Sequence, residues 1–486
     1  YEKTLKLFTE LLDYSDVQFA ESGRESPLRP EAVDYAAISF SDLADKSLTL
    51  EDPDWRSYSG NDVEQVSTLF TSIGLPQSQV TPVQVAQAWF KKVGARQYEP
   101  DLYKSLADVL VEQARYEEAI ATYETIQSTW PNDPDNPTYQ WEVARLYLNL
   151  PIPDPDAQAE ALALLTERYS EDSDWWEANR NNPDAQSTAR RYIEESLLNV
   201  AVEYHLRAQR SDSIEDYSRA ADGYRNYLQK FPFADNYYEA QWYLADTLYA
   251  SERFDEAEEE YLQLLKAGGH PFMDGSQYQL FKTRFFQLEK AYGTVAALPQ
   301  DAVVASAETT DAGEERQIYA LGDLHKEFIE AADALREYPF VDQGFKDAAS
   351  GDESAAAYIP AQIFFEHGDY GQARPRLQHI IDTYCETDEG SYAQTMMINT
   401  YVAEGNLEKV LELTRTYIPM QCGETVGTPE EWKDLQAGAA YKLAQRLYDA
   451  GDYLAAAEAF EAYRAEYDEY KKESLLSAAS SYEKGG

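Results

Sequence analysis

Apolar residues along this chain recur three and four positions apart rather than on alternate positions, the spacing that lays one apolar stripe along a helix. The pattern is densest over residues 231–265, FPFADNYYEAQWYLADTLYASERFDEAEEEYLQLL, where two such helices sit back to back. Leu244, Leu248, Phe254, Tyr261 and Leu264 are its large positions, and Ala245 and Ala257 its small ones. Related blocks recur at 103–131, 357–384 and 440–463. In each block twelve positions separate the two small residues: Ala107 and Ala119, Ala245 and Ala257, Ala361 and Ala373, Ala444 and Ala456. A two-helix block of about 34 residues needs neighbours to bury its apolar face, which predicts a solenoid. The expected fold class is all-α, built of stacked antiparallel helix pairs.

The blocks resemble tetratricopeptide repeats, which place one small residue in each helix, an aromatic further along the second and often a closing proline. Tyr103, Leu106, Ala107, Tyr116, Ala119, Tyr123, Ile126 and Pro131 carry the resemblance in one block, and Leu443, Ala444, Gly451, Tyr453, Ala456 and Phe460 in another. The block from Ser354 keeps Ala361, Phe364, Gly368, Tyr370, Ala373 and Leu377, whereas its neighbour from Ser391 carries Ile398, Val410 and Thr414 at the diagnostic positions. The physics fits: alanine lets two antiparallel helices approach closely, and the aromatic fills the groove toward the next repeat. What the resemblance implies is a right-handed α-solenoid superhelix.

Four regions are expected. Residues 1–99 form an irregular helical region, with helices at 2–14, 62–73 and 82–93, the last capped by Thr81 with Pro82 in its first turn. Residues 22–30 and 48–60 read as loops. Residues 100–271 hold repeats with insertions: PIPDPDAQ interrupts one pair, and a long loop at 171–184 carries Trp175 and Trp176. Residues 272–353 read as a degenerate pair, helices 277–292 and 315–338, around an exposed loop at 293–313. Residues 354–486 are more regular, and the last repeat has only its first helix, 471–486. That unpaired helix, and the absence of an initiator methionine or signal peptide, lead us to expect a longer array or a docking partner beyond Gly486 and a processed or missing amino end.

Charge changes the picture of partners. Eighty-eight acidic residues against 41 basic ones give a net charge of −47, which repels nucleic acid and anionic membranes. The acids are scattered, so the charge suits a solvated surface adapted to high salt, attraction for a basic partner, or loose cation binding. No apolar run approaches the ~18 residues of a membrane span.

Catalytic and cofactor motifs are absent: there is no phosphate-binding glycine loop, no nucleophile elbow, no H-E-x-x-H and no paired metal-spaced cysteines. His205, His270, His325, His367 and His379 fall in separate repeats, save that His367 and His379 share one, and read as solvated or core-edge imidazoles. No metal, no cofactor and no enzymatic role are expected. Cys385 and Cys422 both follow second helices of adjacent repeats. Stacked equivalents lie about 9–10 Å apart, too far for a bridge unless their loops close; a disulfide and two free thiols both fit. A disulfide would argue for an oxidising compartment.

In tetratricopeptide arrays the first helices line a concave groove. Carried over, this offers Trp242, Asp246 and Tyr249; then Tyr358, Gln362 and Phe365; then Tyr392, Asn399 and Val402; then Gly438, Tyr441, Gln445 and Tyr448. Rings alternating with amides and Asp suit an extended peptide or a partner helix, although rings at such spacing also pack against the next repeat. The carboxylate-clamp variety of groove does not carry over, since Lys104 is followed by Asp108. The leading expectation is a non-catalytic scaffold or adaptor within a larger assembly, binding protein, with an accessory subunit of an enzyme as the alternative. A third reading is a carbohydrate or polymer surface using Trp175, Trp176, Trp242 and the tyrosines as stacking platforms. Similarity to repeats of bacterial envelope proteins implies a periplasmic or cell-surface location, with the cytoplasm left open.

Overall fold

The computed structural model describes residues 1–51, 61–311, 313–423 and 429–486. The chain forms two bodies, Tyr1–Phe233 and Ala234–Gly486. Each is a run of antiparallel helix pairs, an all-α solenoid.

In the amino-terminal body α1 (Glu2–Ser22), α2 (Arg29–Ser47), α3 (Asn61–Ile73) and α4 (Pro82–Val93) precede the first repeat. Helix α4 starts where the sequence predicts: Thr81 accepts from the Gln84 amide while Gln84 reaches back to the Thr81 amide, a complete capping box. Phe40, Trp89, Phe90 and Tyr98 form the core here, and the Trp89 indole donates to Thr9 at 3.1 Å. Residues 48–51 of the expected loop are a short 3-10 helix, and its remainder lies outside the described residues. The repeats follow as α5 (Glu99–Glu112) with α6 (Tyr116–Thr129), α7 (Asn136–Tyr147) with α8 (Pro155–Tyr169), and α10 (Pro183–Ser211) with α11 (Ile214–Lys230). The expected loop at 171–184 contains a further helix, α9 (Asp174–Ala178). Ser173 caps it, and the Trp175 indole donates to the Asp133 carbonyl at 2.7 Å, so Trp175 is a buried anchor rather than a displayed ring.

The carboxy-terminal body runs through α12 (Tyr237–Ala250), α13 (Phe254–Ala267) and α14 (Met273–Tyr292), then a hairpin of β1 (Val304–Thr309) and β2 (Glu315–Tyr319). It continues with α15 (Asp323–Glu337), α16 (Gln343–Glu366), α17 (Tyr370–Thr383), α18 (Asp388–Glu404) and α19 (Leu407–Met420), and closes with α20 (Pro429–Asp449), α21 (Tyr453–Glu466) and α22 (Lys471–Gly485). The strands correct two expectations: residues 293–313 are not wholly loop, and 315–319 belong to an antiparallel strand pair rather than to the following helix. Every residue of β1 is solvent-exposed, so no buried face marked it in the sequence.

The alanine spacing has a direct structural meaning. Ala107, Ala119, Ala245, Ala257, Ala361, Ala373, Ala444 and Ala456 are all fully buried, at the crossing of the two helices in each repeat. A larger side chain there would push the helices apart or leave its rotamer well. The aromatic or leucine four residues after the second alanine fills the space beside it: Tyr123, Tyr261, Leu377 and Phe460 are buried too. Ile398 and Val410 keep the same spacing in the divergent repeat and are equally buried.

Candidate partner-binding face

The groove residues expected from the sequence lie on α12, α16, α18 and α20 of the carboxy-terminal body, and the structure sorts them into two groups. The first packs. The Trp242 ring stacks on Phe272 at 6.0 Å between centroids and meets Tyr261 and Phe345 at 5.7 and 6.2 Å. Gly275 of α14 makes room for it, since a Cβ there would approach the indole to 2.6 Å. Tyr249 sits against Phe254 and Phe286, Phe365 stacks on Tyr370, and Tyr441 is surrounded by Phe460, Tyr463 and Tyr470. The Tyr448 ring lies against Tyr453 and beneath Lys484. Asp246 is half-buried beside Tyr249 and Tyr261, and burial raises its carboxyl above the usual range. Trp175 and Trp242 thus serve helix packing, which removes two of the three tryptophans from the polymer-surface reading.

The second group ranges from half-buried to exposed. Tyr358 is half-buried and its hydroxyl is pushed up to about 12 by burial, while the Tyr392 ring beside it, 5.9 Å between centroids, is 39% exposed. Gln362 is half-buried; Asn399 and Gln445 are exposed. Val402 on α18 and Leu435 on α20 are 43% and 37% exposed. Between α18 and α20 they border a cleft of about 560 Å³ with Gly438 on its lining and Lys442, Gln445 and Asp449 around it. A Cβ on Gly438 would meet nothing within 4 Å, so the cleft is open directly above α20. Arg446 donates to the Gly405 carbonyl at 3.0 Å and ties the end of α18 to α20, which fixes the cleft's width. Apolar walls with a mixed-charge rim can hold an extended segment by its apolar side chains and orient it by its polar ones.

Of two pairings in this body, the sequence left the first open and gave no sign of the second. Cys385 and Cys422 are joined, with Cα atoms 4.5 Å apart. The close approach comes from the loops: Gly423 donates its amide to the Cys385 carbonyl at 2.8 Å. His325 and His367, 42 positions apart in the chain and assigned to separate repeats, meet in the core with ring centroids 4.9 Å apart. Both are fully buried, and Tyr292 stacks flat on His325 at 4.9 Å. No group of three or more His, Cys, Asp or Glu placed to hold a metal occurs among the described residues.

The tetratricopeptide repeat family matches residues 104–173 and 205–270. The chain carries tetratricopeptide repeats over those stretches. Among curated proteins none matches the sequence. Among solved structures, the chain is similar to the TPR domain of P58(IPK), at 11% identity and a TM-score of 0.24, over 79% of this chain and 98% of that one. It is also similar to the human IFIT1 dimer with PPP-AAAA, at 13% identity and a TM-score of 0.20, over 99% and 94% of the two chains.

Proposed function

We propose that this chain, which carries tetratricopeptide repeats, is a non-catalytic scaffold that holds an extended segment of a partner protein in the cleft between α18 and α20. The observation that carries this reading is that the exposed residues Val402 and Leu435 line one cleft with Gly438, above which there is open space. Exposed large apolar side chains gathered on one concave site mark an interaction surface more often than scattered ones do. Tyr392 and Asn399 extend the same face along α18, offering a ring for contact area and an amide for a peptide backbone. We further propose a periplasmic or cell-surface location within a larger assembly; the Cys385–Cys422 disulfide supports an oxidising compartment.

Gly438 supplies the test. Gly438→Ala adds one methyl into open space and should stabilise α20 by roughly 0.5–1 kcal/mol, leaving binding intact. Gly438→Trp fills the cleft from its floor without entering the core. Pull-downs with the native chain and both variants should retain a partner on the first two and lose it on the third, with matching thermal melts showing that all three fold. A partner held equally by Gly438→Trp refutes this site.

A further inference from the structure

A second cleft, of about 1140 Å³, lies in the amino-terminal body, beside a repeat whose two helices are joined by an insertion. In the regular repeats twelve positions separate the two crossing alanines; here Ala144 and Ala161, both buried, take those places seventeen positions apart. The extra residues form the connection after Tyr147, folded back by a bond from the Asp154 amide to the Tyr147 carbonyl at 3.0 Å. Asp154 then caps α8 through the Ala157 amide. The cleft lies between α6 and α8, with Gln140 and Val143 of α7 in its lining. Its end is closed by α9: Tyr169 and Trp175 meet edge-to-face at 5.3 Å, and Asn179 donates to the Asn132 carbonyl.

The lining is charged in one sense. Glu124, Glu160, Glu167, Asp172 and Asp174 border the cleft against a single cation, Arg168. Among the described residues none of these five carboxylates forms an ion pair, although acidic residues around the cleft, such as Glu171 with Arg190 and Glu142 with Arg145, do. Partial desolvation raises the Glu124 carboxyl, with Arg168 only partly offsetting it. Independently of the charge, Gln127 is 94% buried by its 6% exposure and lines the cleft. Its Oε1 accepts from the Tyr169 hydroxyl at 2.9 Å, which fixes the amide, but its Nε2 has no hydrogen-bond partner. A buried amide donor left unmade costs about 1–3 kcal/mol and points to an acceptor supplied from outside.

We propose that this cleft is a second binding site, for an extended peptide segment that places lysine or arginine side chains against the five carboxylates. A backbone carbonyl of the segment accepts from Gln127 Nε2, and an apolar side chain covers the half-buried Leu164. The volume slightly exceeds the ~300–1,000 Å³ of small-ligand pockets, which suits several residues rather than one side chain. The site is independent of the cleft at Gly438, and neither stands or falls with the other.

The test uses a blocked Gly-Lys-Leu-Lys-Gly peptide, titrated into the full chain by calorimetry at 0.15 M salt, beside the same peptide with both lysines acetylated. Glu124→Gln with Glu167→Gln removes two cleft charges from exposed positions that the fold does not need. Glu112→Gln with Glu117→Gln removes two charges elsewhere on the same body. The expected result is at least tenfold weaker binding for the cleft pair, less than twofold change for the control pair, and no binding of the acetylated peptide. Equal weakening by both pairs would mean diffuse attraction to a polyanion and overturns the proposal, as does tight binding of the acetylated peptide. Displacement by millimolar calcium chloride, with calcium itself lost in the cleft pair, would reassign the site to a metal cation.

Discussion

His325 shows at single-residue scale how burial sets a pH response. Its ring lies between Tyr292 and His367, and neither of its nitrogens has a hydrogen-bond partner in the protein. Desolvation first, and the neighbouring His367 second, lower its pKa from 6.5 to about 4. His367 is lowered too by burial, although its Nδ1 lies 2.8 Å from the Ile363 carbonyl and Glu366 is near. A folded pKa below the unfolded one means the unfolded chain binds more protons between about pH 6.5 and 4. Stability is therefore full above pH 6.5 and declines as pH falls toward 4, by up to about 3 kcal/mol for His325 alone. His325→Phe keeps the stack on Tyr292 and removes the titration. Urea midpoints at pH 7 and pH 4.5 should fall less in the variant than in the native chain, and an equal fall in both would refute this account. The comparison between chains matters because protonating carboxylates also relieves repulsion in a molecule this acidic.

Among elements, the hairpin is the one whose attachment can be traced to a few side chains. An isolated two-stranded hairpin is marginal in water, and β1 buries nothing. What holds it is Arg316 of β2, which lies 4.1 Å over the Tyr370 ring and donates to Glu404 at 3.0 Å and to Glu308. Arg374 holds Glu404 from the other side, and the Tyr319 amide donates to the His367 carbonyl at 2.9 Å. Gly368 permits the approach: with φ of +74° and the Gln317 carbonyl 2.5 Å from where a Cβ would stand, no other residue fits without movement. Arg316→Ala should release the hairpin at a local cost of about 1–3 kcal/mol. Amides of Val304–Thr309 should exchange faster while those of α18 stay protected, and unchanged exchange in the hairpin would refute the latch. The disulfide is a second tie, closing a loop across a sequence separation of 37. Its reduction should lower stability by about 3–4 kcal/mol on the chain-entropy account, read as a fall in melting temperature with reductant that the double variant Cys385→Ala, Cys422→Ala does not show.

These elements also show what the sequence could carry. The crossing alanines were legible because close helix approach admits little else, and twelve positions is the distance round one turn of the chain between equivalent sites. Ala208 and Ala220 obey the same rule and are fully buried, but Ala208 lies in the last turn of a 29-residue helix whose face is mixed, which hid the pair. The hairpin left no signal because β1 is exposed at every residue and neither strand holds a fully buried one. The groove was legible as a face but not as a list: a ring that wedges between helices, such as Trp242, has the same spacing as one offered to a partner. The acidic cleft was hidden because five unpaired carboxylates look no different from the other acids until the fold removes their cations.

Over the whole molecule the net charge of −47 sets a response that no single contact decides. About half of the ion pairs among the described residues join side chains three or four positions apart, and many of these are exposed, as in Arg180–Glu177, Arg219–Glu215 and Lys409–Glu412. Each such pair is worth about 0.3–0.5 kcal/mol and is screened by salt. A minority are more enclosed, such as Arg284–Glu258, whose side chains are 11% and 14% exposed and whose guanidinium also donates to the Glu327 carbonyl; salt weakens these far less. Against the exposed pairs stands repulsion among the carboxylates in excess, which compaction brings together and salt relieves. At 0.01 M ionic strength the screening length is about 30 Å, so many like charges act on each other at once; at 0.15 M it is about 8 Å, and only near neighbours remain. Surplus acids repel one another over the whole screening length whereas ion pairs act at contact and lose less to salt, so repulsion should dominate the response. The melting temperature should rise by several degrees between 0.01 and 0.3 M potassium chloride, with most of the gain below 0.15 M. Chloride is the informative salt, because sulfate also strengthens apolar burial. A flat or falling melting curve over that range would mean that the ion-pair network, rather than the surplus charge, governs the stability of this array.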